Sequence, residues 1–323
     1  MRSEFRPAPW LTNPHAQTIF PTLPWAWRRP LALRREIVEL PDGDATTVDW
    51  AEDSTSEHGE SPLLVILHGL EGSSDSTYAR TLMHAALDRG WEACVLHFRD
   101  CGDYRNRLPR RYHAGETNDV RFFLDELSAR SDRPIVIAGY SLGGNVLLKY
   151  LGEVGNDSPV CGAAAVCVPL DLQACSTALN NGFSRLYQKH LIGNMKKAAA
   201  RKFGPDTDAF DWDLAMAAVT FDEFDDAVTA PLHGFIGKDD YYGQCSSMHF
   251  LDRIEIPTLI LNAADDPFMS QDMLPQETSL AESVTLEVSD AGGHVGFVEG
   301  GSPWRPRYYL PRRLLQYLGA YTG

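Results

Sequence analysis

No stretch of this chain could cross a bilayer, because its longest uncharged apolar run, Val160 to Leu170, is far too short. The N-terminal MRSEFRPAPW has neither an apolar segment nor a small-residue cleavage site, so no export signal is expected and the expected setting is cytoplasmic. Basic charge is scarce: 29 Lys and Arg against 44 Asp and Glu give a net charge of -15, which argues against a large nucleic-acid surface. The six cysteines include no Cys-x-x-Cys pair and no metal-ligand spacing with histidine. In a long chain without an export signal they read as reduced thiols, with Cys94 and Cys167 in the core. Repeats and low-complexity linkers are absent too, which disfavours a repeat scaffold.

What is present is enough for a large core: 323 residues, 44% hydrophobic and 10% aromatic. Continuous apolar β-rich runs at Leu63–Leu67, Ala93–Phe98, Ile135–Ala138, Ala163–Val168, Thr258–Leu261 and Val284–Val288 read as strands covered on both faces. Helical patterns at Tyr78–Arg89, Glu116–Ala129 and Asn145–Leu151 lie between them. This alternation predicts one α/β domain over residues 1–323, a mostly parallel central sheet with helices on both faces. Arg35–Leu40 and Ala45–Trp50, either side of Pro41-Asp42-Gly43, predict an edge hairpin. Residues 1–34 read as an N-terminal arm. The spacing breaks once: residues 171–256, mostly helical, are far too long for a crossover and predict a helical cap over the site.

The chemistry is carried by PIVIAGYSLGGNVLLKY, residues 134–150, where Ser141 sits in a Gly-x-Ser-x-Gly frame between a strand and a helix. A serine at the tip of such a sharp turn leaves no room for side chains two positions away, and Gly139 and Gly143 remove them. Gly144 lets the helix pack close to the sheet. A serine needs a base, and the base a carboxylate to orient it. On a wound sheet of this kind the acid and then the histidine follow the serine. TLILNAADD, residues 258–266, ends a strand in two carboxylates, and VTLEVSDAGGH, residues 284–294, ends in the one histidine of ten that occupies the required place. Asp266 is favoured as the acid, since Asp266-Pro267-Phe268 has the form of the loop after an acid-bearing strand, with Asp265 left to cap or orient that loop. The oxyanion donors are expected at the amides of Leu142 and of Leu70, in the His68-Gly69-Leu70-Glu71-Gly72 loop. His68 has no second ligand at metal spacing and reads as a loop-shaping residue.

With these residues and the Gly292-Gly293-His294-Val295-Gly296-Phe297 run in hand, the chain resembles the α/β-hydrolase superfamily. More narrowly it resembles the YheT-type bacterial hydrolases, relatives of eukaryotic abhydrolase-domain lipases and esterases. The resemblance extends to Asn13-Pro14-His15-Ala16-Gln17-Thr18-Ile19, Tyr112-His113-Ala114-Gly115-Glu116-Thr117, Gly182-Phe183-Ser184-Arg185 and Asp240-Tyr241-Tyr242. It implies hydrolysis of carboxylic esters, of short- to medium-chain acyl or lipid-like type, by Ser141, Asp266 and His294, with neither cofactor nor metal. One departure is Asp100 in Arg99-Asp100-Cys101-Gly102, where bacterial relatives tend to carry glycine. An acyltransferase or thioesterase would share the acyl-enzyme, whereas a non-catalytic binding protein would have no use for acid and base in this order. Phe183, Leu186, Tyr187, Leu191, Tyr241 and Tyr242 are candidates for an acyl pocket. Trp10, Trp25 and Trp27 beside Arg28, Arg29, Arg34 and Arg35 would suit peripheral membrane contact, but prolines bar an amphipathic helix there, and an arm packed on the domain is the plainer expectation. Arg185, Lys189, Lys196, Lys197, Arg201 and Lys202 form a basic stretch that reads as a solvated helix face or a site for anionic lipid.

Overall fold

Strands without polar alternation need cover on both faces. The computed structural model describes residues 1–23, 29–52, 60–269 and 273–323; Trp25, Trp27, Arg28 and residues 53–59 of the polar loop lie outside these. Eight strands form the main sheet: β1 Leu33–Glu39, β2 Ala45–Ala51, β3 Leu63–Leu67, β4 Glu92–Leu96, β5 Ile135–Tyr140, β6 Val160–Val166, β7 Thr258–Ala263 and β8 Val284–Ser289. A separate hairpin pairs β9 Val298–Ser302 with β10 Arg305–Tyr308. Every residue of β3, β5 and β7 is buried. The spatial order is β1-β2-β4-β3-β5-β6-β7-β8, parallel from β4 to β8. β1 and β2 form the expected antiparallel hairpin, with Gly43 at φ 82° in its turn.

The helices are α1 Pro14–Ile19, α2 Thr77–Leu87, α3 Asn118–Arg130, α4 Leu142–Val154, α5 Leu172–Leu179, α6 Ser184–Lys202, α7 Trp212–Ala217, α8 Phe221–Phe224, α9 Ala230–His233, α10 Lys238–Cys245 and α11 Tyr309–Leu318. Side-chain alternation along β3 divides the core between two faces. Leu63, Val65 and Leu67 pack with α3 and α4, while Leu64 and Ile66 pack with α2 and α11. The β6–β7 connection carries α5 to α10, with a core of its own around Ile192, Met195, Phe210 and Phe224. The last part of that connection, Ser247–Arg253, lies against α4, where Gly152 leaves room for Phe250. Among the described residues no helix is long and apolar enough to cross a membrane.

The chain runs from β3 out to β4 on one side and back to β5 on the other. The carboxyl ends of β3 and β5 therefore flank the point where the winding reverses, where open α/β sheets bind ligands.

Candidate active site

The turn between β5 and α4 is a single residue, Ser141, held at φ 52° and ψ −120°. Its neighbours explain the glycines. A Cβ on Gly139 would lie 2.5 Å from the Gly143 carbonyl oxygen, and one on Gly143 would lie 2.4 Å from that of His68. Gly144 faces Val168 at a similar distance, so α4 rests directly on the sheet.

Two loops bring the rest of the group to Ser141. Ser141 Oγ lies 3.0 Å from His294 Nε2, and His294 Nδ1 lies 2.8 Å from Asp266 Oδ2. The Asp266 side chain is fully buried, and its other oxygen accepts the Phe268 amide at 2.8 Å. Phe268 stacks flat on the His294 ring, 4.0 Å between centroids and 2° between planes. Asp265 turns the other way and accepts the Gly293 amide at 2.9 Å, holding the backbone next to the histidine. Burial, with the neighbouring Asp266 charge adding to it, raises the Asp265 carboxyl above its ordinary range.

The loop after β3 is shaped from within. The Phe98 amide donates to His68 Nε2 at 3.1 Å, which leaves Nδ1–H to donate to the Gly69 carbonyl at 2.7 Å. Burial pushes the His68 imidazole down to about 3, so it stays neutral and both nitrogens serve the backbone. Two tyrosine hydroxyls accept the amides on either side of Leu70: Gly69 N donates to Tyr78 at 2.8 Å and Glu71 N to Tyr112 at 2.7 Å. The Leu70 amide itself has no acceptor among the described residues. Leu142 is the first residue of α4, where an amide has no carbonyl one turn back. Asp100 takes a left-handed φ of 67° and pairs with Arg111, which also binds Glu71 at 2.8 Å. This is a backbone conformation that glycine adopts without strain, and here the carboxylate adds a charge pair.

No local pattern announces how the histidine loop is fastened. Asn13 caps α1, which has Pro14 at its first position. From α1, Thr18 Oγ1 accepts the His294 amide at 2.9 Å. Buried Gln17 spans Leu11 and both backbone groups of Val298. A Cβ on Gly293 would meet the Pro14 carbonyl at 2.4 Å, and one on Gly296 the Gln17 carbonyl at 2.2 Å. Cys167 is buried, as expected, but it also accepts the Val295 amide at 3.3 Å. Ligand atoms of Cys167, Asp266 and His294 lie within 4.8 Å of one another. Burial keeps that thiol protonated, and the imidazole and carboxylate are spent on each other, so this group suits a hydrogen-bonded relay better than a metal.

Ser141 and His294 open into a cavity of about 690 Å³, lined largely by apolar side chains such as Ile19, Leu172, Leu191, Met195, Phe221 and Tyr241. Of the residues expected to form a pocket, Tyr187, Leu191, Tyr241 and Tyr242 line it. Phe183 and Leu186 do not; they lie on the surface, 46% and 58% exposed. Apolar residues occur on more than one face of α6, so sequence spacing alone could not say which face turns inward.

A family model described as the alpha/beta hydrolase fold matches residues 62–301. YheT of Escherichia coli (strain K12), whose name carries a provisional esterase assignment, is 42% identical over 324 residues, covering 99% of this chain and 94% of its own. Phospholipase ABHD3 of Mus musculus is 29% identical over 325 residues, 94% of this chain and 79% of that one. The structure of Pyrococcus furiosus esterase Pf2001 matches with a TM-score of 0.57 at 16% identity, over 91% of this chain and 92% of its own, a likeness of fold alone.

Proposed function

The chain belongs to the α/β-hydrolase family, and on that premise we propose that it hydrolyses carboxylic esters, of short- to medium-chain acyl or lipid-like type, through a serine acyl-enzyme. One observation carries the reading: a serine–imidazole–carboxylate relay, 3.0 and 2.8 Å long, that opens into an apolar cavity. The esterase and phospholipase names of YheT and ABHD3 agree with it. A cavity of about 690 Å³ lies within the size range of small-ligand sites. In this reading α5 to α10 are a cap beneath which the acyl chain lies.

Asp266 accepts Nδ1–H and so leaves the Nε2 lone pair of His294 facing Ser141 Oγ. As Oγ attacks the ester carbonyl, Nε2 takes its proton, and the oxyanion is received by the Leu70 and Leu142 amides. The C–O bond then breaks, and Nε2–H protonates the leaving alcohol. Water, deprotonated by the same nitrogen, attacks the acyl-enzyme and releases the carboxylic acid and free Ser141.

The test is a p-nitrophenyl ester series from acetate to palmitate, run on the wild type and Ser141→Ala. Turnover should peak at one chain length and fall on the order of 10⁵-fold or more in the variant. Turnover that survives the substitution would sink the proposal. A new ester in place of free acid, when a second alcohol is supplied, would identify an acyltransferase instead.

A further inference from the structure

Helix α6 has two unlike faces. Tyr187, Leu191 and Met195, spaced four apart, line the cavity. The opposite face is exposed and carries Arg185, Leu186, Lys189, Lys197 and Arg201. The helix holds six cations and no carboxylate, in a chain of net charge -15. None of Arg185, Lys189, Lys197 and Arg201 makes an ion pair among the described residues.

The N-terminal end of this face lies at the cavity mouth. Ile19 and His190 are both exposed and cavity-lining, so they mark the rim. One turn before Ile19, the His15 ring packs 4.4 Å from that of Phe183, which brings α1 and the start of α6 together. Ile19, Phe183 and Leu186, 40%, 46% and 58% exposed, therefore form an apolar edge beside the opening, with Arg185 and Lys189 next to it. Asp75, the acid at the rim, is paired with Arg80.

We propose that the outward face of α6, with Ile19 and Phe183, docks on an anionic lipid bilayer, so that the cavity mouth opens toward the membrane surface. Apolar side chains ringed by cations are what an interfacial helix presents to anionic headgroups. The overall negative charge does not oppose this, because beyond a Debye length of about 8–10 Å the remaining carboxylates are screened. The inference concerns where the protein works and stands apart from the ester chemistry.

The experiment is co-sedimentation with vesicles of phosphatidylcholine alone or mixed with phosphatidylglycerol, using Ser141→Ala so that no lipid is consumed. Binding is expected to the mixed vesicles only and to fade at high salt. Neutralising two cations, Lys189→Gln with Lys197→Gln, should weaken it about thirtyfold, and Leu186→Ser should weaken it further. Unchanged thermal unfolding midpoints would show that these surface variants fold. Absence of binding to the mixed vesicles, or binding that the α6 variants do not change, would overturn the proposal. So would a dimer in solution that Leu186→Ser dissociates, since this face would then belong to a second copy of the chain. Loss of esterase activity bears on Ser141 and leaves this test untouched.

Discussion

Asp265 and Asp266 are adjacent, yet their carboxylates serve different partners. Successive side chains after a strand point to opposite sides, so one of the pair reaches the His294 ring and the other the Gly293 amide. Sequence alone can say that a carboxylate ends β7. It cannot say on which side the histidine loop will arrive, and so the preference for Asp266 rests only on the form of the Asp266-Pro267-Phe268 loop. Ser141 was legible for the opposite reason: its positive φ and the backbone oxygens crowding Gly139 and Gly143 demand a local pattern that glycine alone satisfies. Under the proposed mechanism, Asp266→Asn should cut kcat on the order of 10³- to 10⁴-fold, because the amide no longer stabilises the imidazolium and permits the wrong tautomer. Asp265→Asn keeps an oxygen for the Gly293 amide and should cost less than about tenfold. Steady-state kinetics on the preferred p-nitrophenyl ester decides, and the reverse order would exchange the two roles.

At the scale of elements, a six-residue helix fixes the histidine loop. The start of α1 is readable from Asn13 and Pro14, but its purpose is not, because its partners lie some 280 residues away and no local pattern announces them. Strands β3 to β8 are legible because their burial is nearly continuous, and the parallel winding follows from their alternation with helices; the half-exposed β9–β10 hairpin has no such run and is not. The arm is the reverse case. Ser3 N donates to the Val288 carbonyl at the edge of β8, and Trp10 Nε1 to Gly301, contacts that depend on the finished fold. Thr18→Val tests what α1 does for the site. It keeps the shape of the side chain but leaves the His294 amide without its acceptor, at a cost of about 1–3 kcal/mol. We expect a lower thermal midpoint and a kcat reduced about tenfold with KM nearly unchanged, since valine keeps the shape of a threonine that lines the cavity. An unchanged kcat would mean that Asp265 and the glycine contacts suffice to hold the loop.

Across the whole molecule, the carboxylate excess suggests a protein made stable by acid, which relieves its self-repulsion. The buried histidines predict the contrary. Burial pushes His68 down to about 3, His97 to about 4 and His233 to about 3, and it also lowers His113, whose ring lies 4.5 Å from that of His233. Their ordinary value is 6.5, so between about pH 6.5 and 4 the unfolded chain holds more protons than the folded one. Stability then rises with pH across this window and is lost as pH falls through it. Asp225, buried in the cavity wall and pushed up to about 6, has the opposite sign: its folded form holds the extra proton between its ordinary value and about 6. These four histidines outnumber the carboxyls that burial raises, Asp225, Asp265 and Glu116, so the balance favours unfolding on acidification. Urea unfolding at pH 7, 6 and 5 and constant ionic strength should therefore show a midpoint that falls steadily. Asp225→Asn should steepen that fall, because it removes a group that opposes it, and a flat profile in the wild type would mean that these histidines are not held neutral in the folded state.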